Sequence, residues 1–157
     1  MTIQHVHLPL GTFKSLEVLI NALKKAHVPI EAGAHMLLTN FDFKLETEER
    51  AATIAIGPLS DFGVQEDVTL FECFRKLGEK NYKPCPPEVG PLLALKRDLP
   101  LDVNSFAVGM EPFLAPTDTE DIFYVKYNGV YRTLSSMQVG GETFFTPAET
   151  IAMIAPS

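Results

Sequence analysis

One short segment restricts the possible folds of this chain more than any other, the run IFYVKYNGVYRTL at residues 122–134. Aromatic and β-branched residues, which favour strands, lie on both sides of Asn128-Gly129. Asn-Gly is the preferred pair for a two-residue type I′ turn, because both turn residues need a positive φ. We therefore predict an antiparallel hairpin joined at Asn128-Gly129, with Val125 opposite Arg132. The predicted inner face carries Phe123, Val125, Tyr127, Val130 and Leu134.

After residue 90, apolar residues alternate with smaller or polar ones in two further segments, GPLLALKRD and SFAVGMEPF. The alternating apolar positions are Leu93, Leu95, Phe106, Val108 and Met110. A period of two indicates strands with one buried face. The last segment, ETFFTPAETIAMIAPS, is predicted to add one or two strands. Residues 90–157 are therefore predicted to form an antiparallel meander.

Two amphipathic helices are predicted before residue 80, in TFKSLEVLINALKKAH (12–27) and DVTLFECFRKLGEK (67–80). In both, apolar residues recur three and four positions apart, which is typical of a helix with one buried face. Pro29 ends the first helix, since it pushes the preceding residue out of the helical region. Asp67 is the predicted N-cap of the second helix, and Gly78 its predicted end.

Two short strands are predicted between these helices. Residues 41–45 alternate between apolar and charged side chains, and ATIAIGP at 52–58 is typical of a short buried strand. A length of 157 residues suits one domain, 1–157, with a mixed helix and strand part at about 1–80. We predict an α+β fold, an antiparallel sheet with about two main helices packed on one face.

The charge of the chain is unevenly distributed. Of a formal net charge of −7, residues 98–157 carry −6, from eight acids and two bases. Nucleic acid is not the expected partner, because phosphate binding needs clustered Lys and Arg. The acidity is compatible with a basic protein partner, although the simpler interpretation is that it keeps the protein soluble.

The apolar runs, the first residues and the cysteine count also indicate where the protein is expected to be located. No apolar run approaches the roughly 18 residues that a membrane helix needs, so no membrane partner is predicted. The first residues, MTIQHVHLPLGTFKS, lack the pattern of a signal peptide. Cys73 and Cys85 are too few for a disulfide scaffold and are predicted to be free thiols. A cytoplasmic location is expected, while the oligomeric state stays open.

The segment YKPCPPEVGPLLALKRD, at 82–98, contains four prolines, which remove four backbone donors and exclude a central strand. One interpretation is a rigid loop that presents Cys85 and Glu88 to a ligand. The other is a stiff connector in which Cys85 is a small buried apolar group. The connector is the preferred interpretation, and Cys85 and Glu88 are the candidate ligand-binding residues if the loop binds anything.

The same segment resembles a family. CPPEVGPLLAL followed by FAVGMEPF is similar to small uncharacterised bacterial proteins in which a Cys-Pro-x-Glu-Val-Gly-Pro segment precedes an alternating strand and a Met-Glu-Pro strand end. The resemblance covers residues 85–113 and implies a loop followed by a strand, without an activity. Ala94 and Lys96 depart from it, because longer polar side chains are expected there.

Metal chemistry has one candidate, the pair His5 and His7 in HVH. Alternation on a strand would point both imidazoles to one face, but a third ligand such as His35 is not indicated by its spacing. The acids Glu111, Asp118, Glu120 and Asp121 are close enough in sequence to suggest a carboxylate pair or calcium, yet a solvated acidic connection is the simpler interpretation. We predict no metal and no cofactor.

Two hypotheses about function follow. The first is a small acidic, non-enzymatic binding or interaction protein that meets a partner through its C-terminal half. The alternative is a small metal-binding or cysteine-dependent enzyme that uses His5 and His7 or Cys85. Because HExxH, CxxC, GxSxG and phosphate-loop patterns are missing, the first is preferred.

Overall fold

A computed structural model describes residues 3–100, 103–116 and 118–157 of the chain and has an α+β fold, as predicted. The described residues contain four α-helices rather than two: α1 (Leu16–Lys25), α2 (Ala32–Leu38), α3 (Leu70–Gly78) and α4 (Val89–Leu95). They also contain seven strands: β1 (Gln4–Leu10), β2 (Arg50–Pro58), β3 (Phe106–Val108), β4 (Phe113–Leu114), β5 (Glu120–Tyr127), β6 (Arg132–Gln138) and β7 (Thr150–Ile154). A 3₁₀ turn, Leu59–Phe62, follows β2. None of the helices in these ranges has the length and apolar content to cross a membrane.

The seven strands form one sheet, in which five of them are neighbours in the order β1-β2-β7-β3-β5. β6 pairs with one edge of β5, while β3 and β4 pair with different parts of its other edge. Among the pairings between the seven described strands, only β3–β7 is parallel. Because β7 lies between β2 and β3, both halves of the chain contribute to the same sheet. The sheet is therefore mostly antiparallel, but it is not the antiparallel meander that the sequence predicts for residues 90–157.

Both predicted helices exist, but their first residues differ from the prediction. α1 begins where the Ser15 hydroxyl accepts the Val18 N–H at 3.2 Å. α3 is capped by Thr69 rather than Asp67, and the caps are reciprocal: Thr69 Oγ1 accepts the Glu72 N–H, and Glu72 Oε1 accepts the Thr69 N–H. A side-chain acceptor at the helix start and a carboxylate three residues later provide acceptors for two of the backbone N–H groups that would otherwise be unpaired there.

The strand predicted at 90–98 is wrong, since α4 occupies most of this segment. α4 is buried almost all round, and a helix without a polar face has no helical periodicity to read. Gly90 lies inside α4 against the Phe123 ring; a Cβ atom there would lie 2.8 Å from Phe123 Cγ. Pro86 and Pro87 belong to the turn before α4.

The strand predicted at 41–45 is also absent from the structure. α2 ends at Leu38, and Asn40 Oδ1 then accepts the Asp42 N–H in a tight turn. Phe43 packs edge-to-face on Phe123, with ring centroids 6.0 Å apart, whereas Phe41 remains 87% exposed. The alternation of this segment therefore reflects one buried ring and not a strand.

The predicted hairpin exists, with a different turn and register. A four-residue loop, residues 128–131, joins β5 to β6, and Val125 lies opposite Leu134 instead of Arg132. Asn128 Oδ1 accepts the N–H groups of both Val130 and Tyr131, which closes this longer loop. Val130, predicted to face inward, is 73% exposed in the loop.

The helices α2 and α4 cover one face of the sheet. Phe123 on that face contacts Gly90 of α4, and its cross-strand neighbour Ser136 contacts Gly33 of α2. The opposite face is closed at β2 and β7, where Ala55 and Met153 are buried. Over β3, β5 and β6 that second face is open, and this is where a large cavity lies.

Candidate functional site

The proline-rich segment joins the sheet. Lys83 exchanges two backbone hydrogen bonds with Ile154, and the Cys85 N–H donates to the Gly109 carbonyl at 2.6 Å. Pro84 stands between these two donors, at a position where an extended chain points its N–H away from the partner strand. The prolines therefore stand where the pairing needs no donor, in keeping with a connector.

Cys85 is buried, with its Sγ atom 3.6 Å from the Ala152 carbonyl oxygen. Burial raises the pKa of the Cys85 thiol far above its ordinary value, although a backbone hydrogen bond from Ile154 opposes this. The residue borders a cavity of about 610 Å³ that Lys83 and Arg50 also line. A protonated, buried thiol is a poor nucleophile, so the geometry does not favour a covalent role.

Glu88 lies entirely in the interior and does not line that cavity. Its Oε1 atom accepts the Glu46 N–H at 2.7 Å, and its Oε2 atom accepts the Gly11 N–H at 3.2 Å. The carboxylate thus fastens two loops to the start of α4. Cys85 and Glu88 are not brought together at one ligand site; their binding role remains a prediction that nothing in the geometry supports.

His5 and His7 both point outward from β1, as the alternation predicted. His7 Nδ1 lies 3.3 Å from Thr53 Oγ1, while His35 is exposed on α2. Within the described ranges, no three His, Cys, Asp or Glu side chains are grouped so as to hold a metal ion.

Glu120 and Asp121 do not form a carboxylate pair on β5. Glu120 and Asp121 are consecutive strand residues and therefore face opposite sides of the sheet. Asp118 lies in the turn before β5, where its N–H donates to the Ala115 carbonyl at 2.9 Å. Glu120 is directly opposite Leu114 of β4.

A groove that we call the edge groove lies beside β4, with a volume of about 480 Å³. It is lined by Met36, Thr39, Asn40, Phe41, Leu114, Ala115 and Pro116. Phe41 is 87% exposed and Leu114 is 61% exposed, so the groove presents two large apolar side chains to solvent. The Asn40 amide donates to the Leu114 carbonyl at 3.2 Å and joins the end of α2 to the edge strand.

A second hollow, which we call the sheet-face cavity, has a volume of about 880 Å³. Its floor includes Ala107, Tyr124 and Ser135, which are cross-strand neighbours in β3, β5 and β6. Among the described residues, three charged side chains line it: Glu31, Lys126 and Glu149. This size is typical of sites for small molecules.

Sequence reasoning missed both features, because each is assembled from distant parts of the chain. Phe41 was interpreted as a strand residue, and nothing local marks Leu114 or Glu149. The sequence contains one indication of the cavity. Lys126 is one of two bases among residues 98–157, and an isolated cation on a β-strand is expected to pair with an acid.

No protein-family model matches the chain, and comparisons with curated proteins and with solved structures return no match. Inference about function therefore depends on the geometry of these grooves and side chains.

Proposed function

We propose that this chain is a non-enzymatic binding protein whose edge groove holds a basic, apolar-anchored peptide segment of a protein partner. The observation that carries this proposal is the exposure of Phe41 and Leu114 in one groove. Exposed large apolar side chains that share a concave surface are typical of interaction sites, because each gains free energy when a partner removes it from water.

The charges around the groove favour a basic partner. Asp42 follows Phe41 directly, Glu120 is opposite Leu114, and Asp118 lies in the adjoining turn; all three carboxylates are exposed. Lys or Arg residues flanking apolar anchors would meet these acids. Lys44 Nζ already lies 4.8 Å from the centre of the Phe41 ring, which supports the ability of this ring to accept a cation.

The peptide would be held by its side chains. The Leu114 carbonyl is already bonded to the Asn40 amide, so an added strand would have to displace that bond. An amphipathic helix with apolar residues three and four positions apart fits a short groove of this kind.

The test uses a labelled amphipathic peptide of about 14 residues, with Leu anchors and intervening Lys, and measures fluorescence anisotropy against the full chain. We expect saturable binding that Phe41→Ser and Leu114→Ser each weaken by about tenfold or more. Phe71→Ser removes an equally apolar ring that is 55% exposed on α3 and is the matched control.

Two further measurements test which partner the groove binds. A peptide with Glu in place of Lys should bind more weakly than the Lys peptide, and in the Glu120→Lys variant the Glu peptide should bind more tightly. Equal binding of both peptides, or equal loss in Phe71→Ser, would reject the proposal. Sedimentation that shows a dimer dependent on Phe41 would assign the groove to a second copy of the chain instead.

The alternative, an enzyme using His5 and His7 or Cys85, receives no comparable support. The two imidazoles lack a third ligand among the described residues, and the Cys85 thiol is buried.

A further inference from the structure

The charges that line the sheet-face cavity do not balance, and the function proposed for the edge groove does not involve them. Lys126 Nζ lies 3.0 Å from Glu31 Oε2, and the Ser135 hydroxyl donates to Glu31 Oε1. The Ser135 and Lys126 hydrogen bonds hold the pKa of Glu31 below its ordinary value, so this acid is ionised and paired. Lys126 and Glu31 thus cancel each other.

Glu149 has no such counterpart. It lines the same cavity, and no Lys, Arg or His of the described ranges forms an ion pair with it. Partial burial raises the pKa of Glu149; a backbone hydrogen bond from Thr146 lowers it, and the nearby charge of Asp67 raises it. Among the described residues, the cavity therefore contains one carboxylate without a cationic partner, in surroundings that disfavour its ionised form.

We propose that the sheet-face cavity binds a small organic cation, a primary amine or guanidinium compound with an apolar body, whose charged group pairs with Glu149. Ala107 and Met137 offer the apolar body a surface of small and flexible side chains. The Tyr124 ring, half-exposed in the floor, adds an aromatic face to which a cation is attracted.

Other ligand classes fit this cavity less well. An anion would face Glu149, and the cation that it needs, Lys126, is already bound to Glu31. A metal ion needs several donors, and no group of three ligating side chains exists in the described part of the chain. An ammonium group is satisfied by one carboxylate and neutral acceptors.

The experiment titrates the isotope-labelled full chain with 2-phenylethylamine and with its neutral isostere 2-phenylethanol, following backbone amide shifts by NMR. We expect the amine to cause saturable shifts at Ala107 and Tyr124, and the alcohol to bind about tenfold more weakly or worse. Glu149→Gln should weaken the amine by about tenfold and leave the alcohol unchanged. Glu142→Gln, an exposed acid outside the cavity, is the matched control.

One variant separates a cation site from an anion site. Lys126→Met releases Glu31, so amine binding should strengthen, whereas binding of an anion such as phenylacetate should not appear in either protein. The proposal is overturned if the alcohol binds as well as the amine, if Glu149→Gln has no effect, or if shifts at Ala107 and Tyr124 do not saturate. The amide spectrum of each variant reports whether it is folded.

Discussion

The Glu88 carboxylate and the Glu46 backbone are joined by a 2.7 Å hydrogen bond across 42 residues of chain. Glu88 is fully buried, and its two carboxylate oxygens take the place of water as hydrogen-bond acceptors for two backbone N–H groups. Removing them leaves two partly buried donors without their acceptors, and a polar group that is unpaired away from water costs more than the bond it lost.

We therefore expect Glu88→Leu to lower the free energy of unfolding by about 2–4 kcal/mol. Glu88→Gln should cost less, because its amide oxygen still accepts one N–H. Urea unfolding measures both changes, with Glu49→Gln, an exposed acid, as the control. A Glu88→Leu protein as stable as the wild type would show that the carboxylate fastens nothing.

Gly90 and Gly78 form a matched pair for testing the packing of α4. Gly90→Ala should destabilise the protein by about 1–3 kcal/mol, since the new Cβ overlaps the Phe123 ring. Gly78→Ala adds a Cβ with nothing within 4 Å and should be neutral or stabilising by up to about 1 kcal/mol. Thermal unfolding of both variants checks this, and equal changes would contradict the α4–β5 contact.

Cys73 and Cys85 are expected to react slowly with a thiol reagent in the folded protein. Both are free and buried, and burial raises the pKa of Cys73 to about 12. Because the thiolate is the reactive form, both should be labelled at the rate of local or global opening. Peptide mapping after native and urea-unfolded labelling distinguishes the two sites. Fast native labelling of Cys85 alone would instead revive the cysteine-dependent enzyme.

Glu72 should make the stability of the protein depend on acidity. The hydrogen bonds from the Thr69 backbone and hydroxyl groups lower the pKa of Glu72 in the folded state below the ordinary value of 4.5. A lowered pKa adds stability above the unfolded-state value, and this stability is lost as the pH falls through the folded-state value.

Urea unfolding between pH 7 and pH 3 tests this. Wild type should lose more stability on acidification than Glu72→Gln, whose amide keeps the cap without titrating. Glu17→Gln replaces an acid in the first turn of α1 that makes no N-cap hydrogen bond, and it should change the pH dependence less. Identical slopes for wild type and Glu72→Gln would refute the cap.

The elements that sequence reasoning found are those determined by nearby residues. The 122–134 hairpin is specified by strand formers on either side of a turn signal, so its pairing partner lies within a few residues. Its turn was misjudged because the Asn128 side chain caps Val130 and Tyr131, a contact that favours a four-residue loop. The α3 helix likewise follows from an apolar face and a local cap.

What escaped prediction depends on residues far apart. α4 packs closely on β5 because Gly90 lets it approach Phe123, and an all-apolar segment contains no period that distinguishes a buried helix from a buried strand. The edge groove depends on the bond from Asn40 to Leu114, and the charge balance of the cavity depends on the ion pair between Lys126 and Glu31. Pairs separated by 74 and 95 residues leave no mark in the local sequence pattern.

Because β7 lies between β2 and β3, the sheet cannot be completed until β7 has been synthesised. During synthesis, the β1–β2 ribbon and the β3–β5–β6 sheet can each form early, but each keeps an unpaired edge until residues 150–154 emerge. Those two edges are open to wrong partners throughout that interval. Closing the sheet is therefore a late, long-range event, and a chain halted before Thr150 would lack the strand that joins the two ribbons.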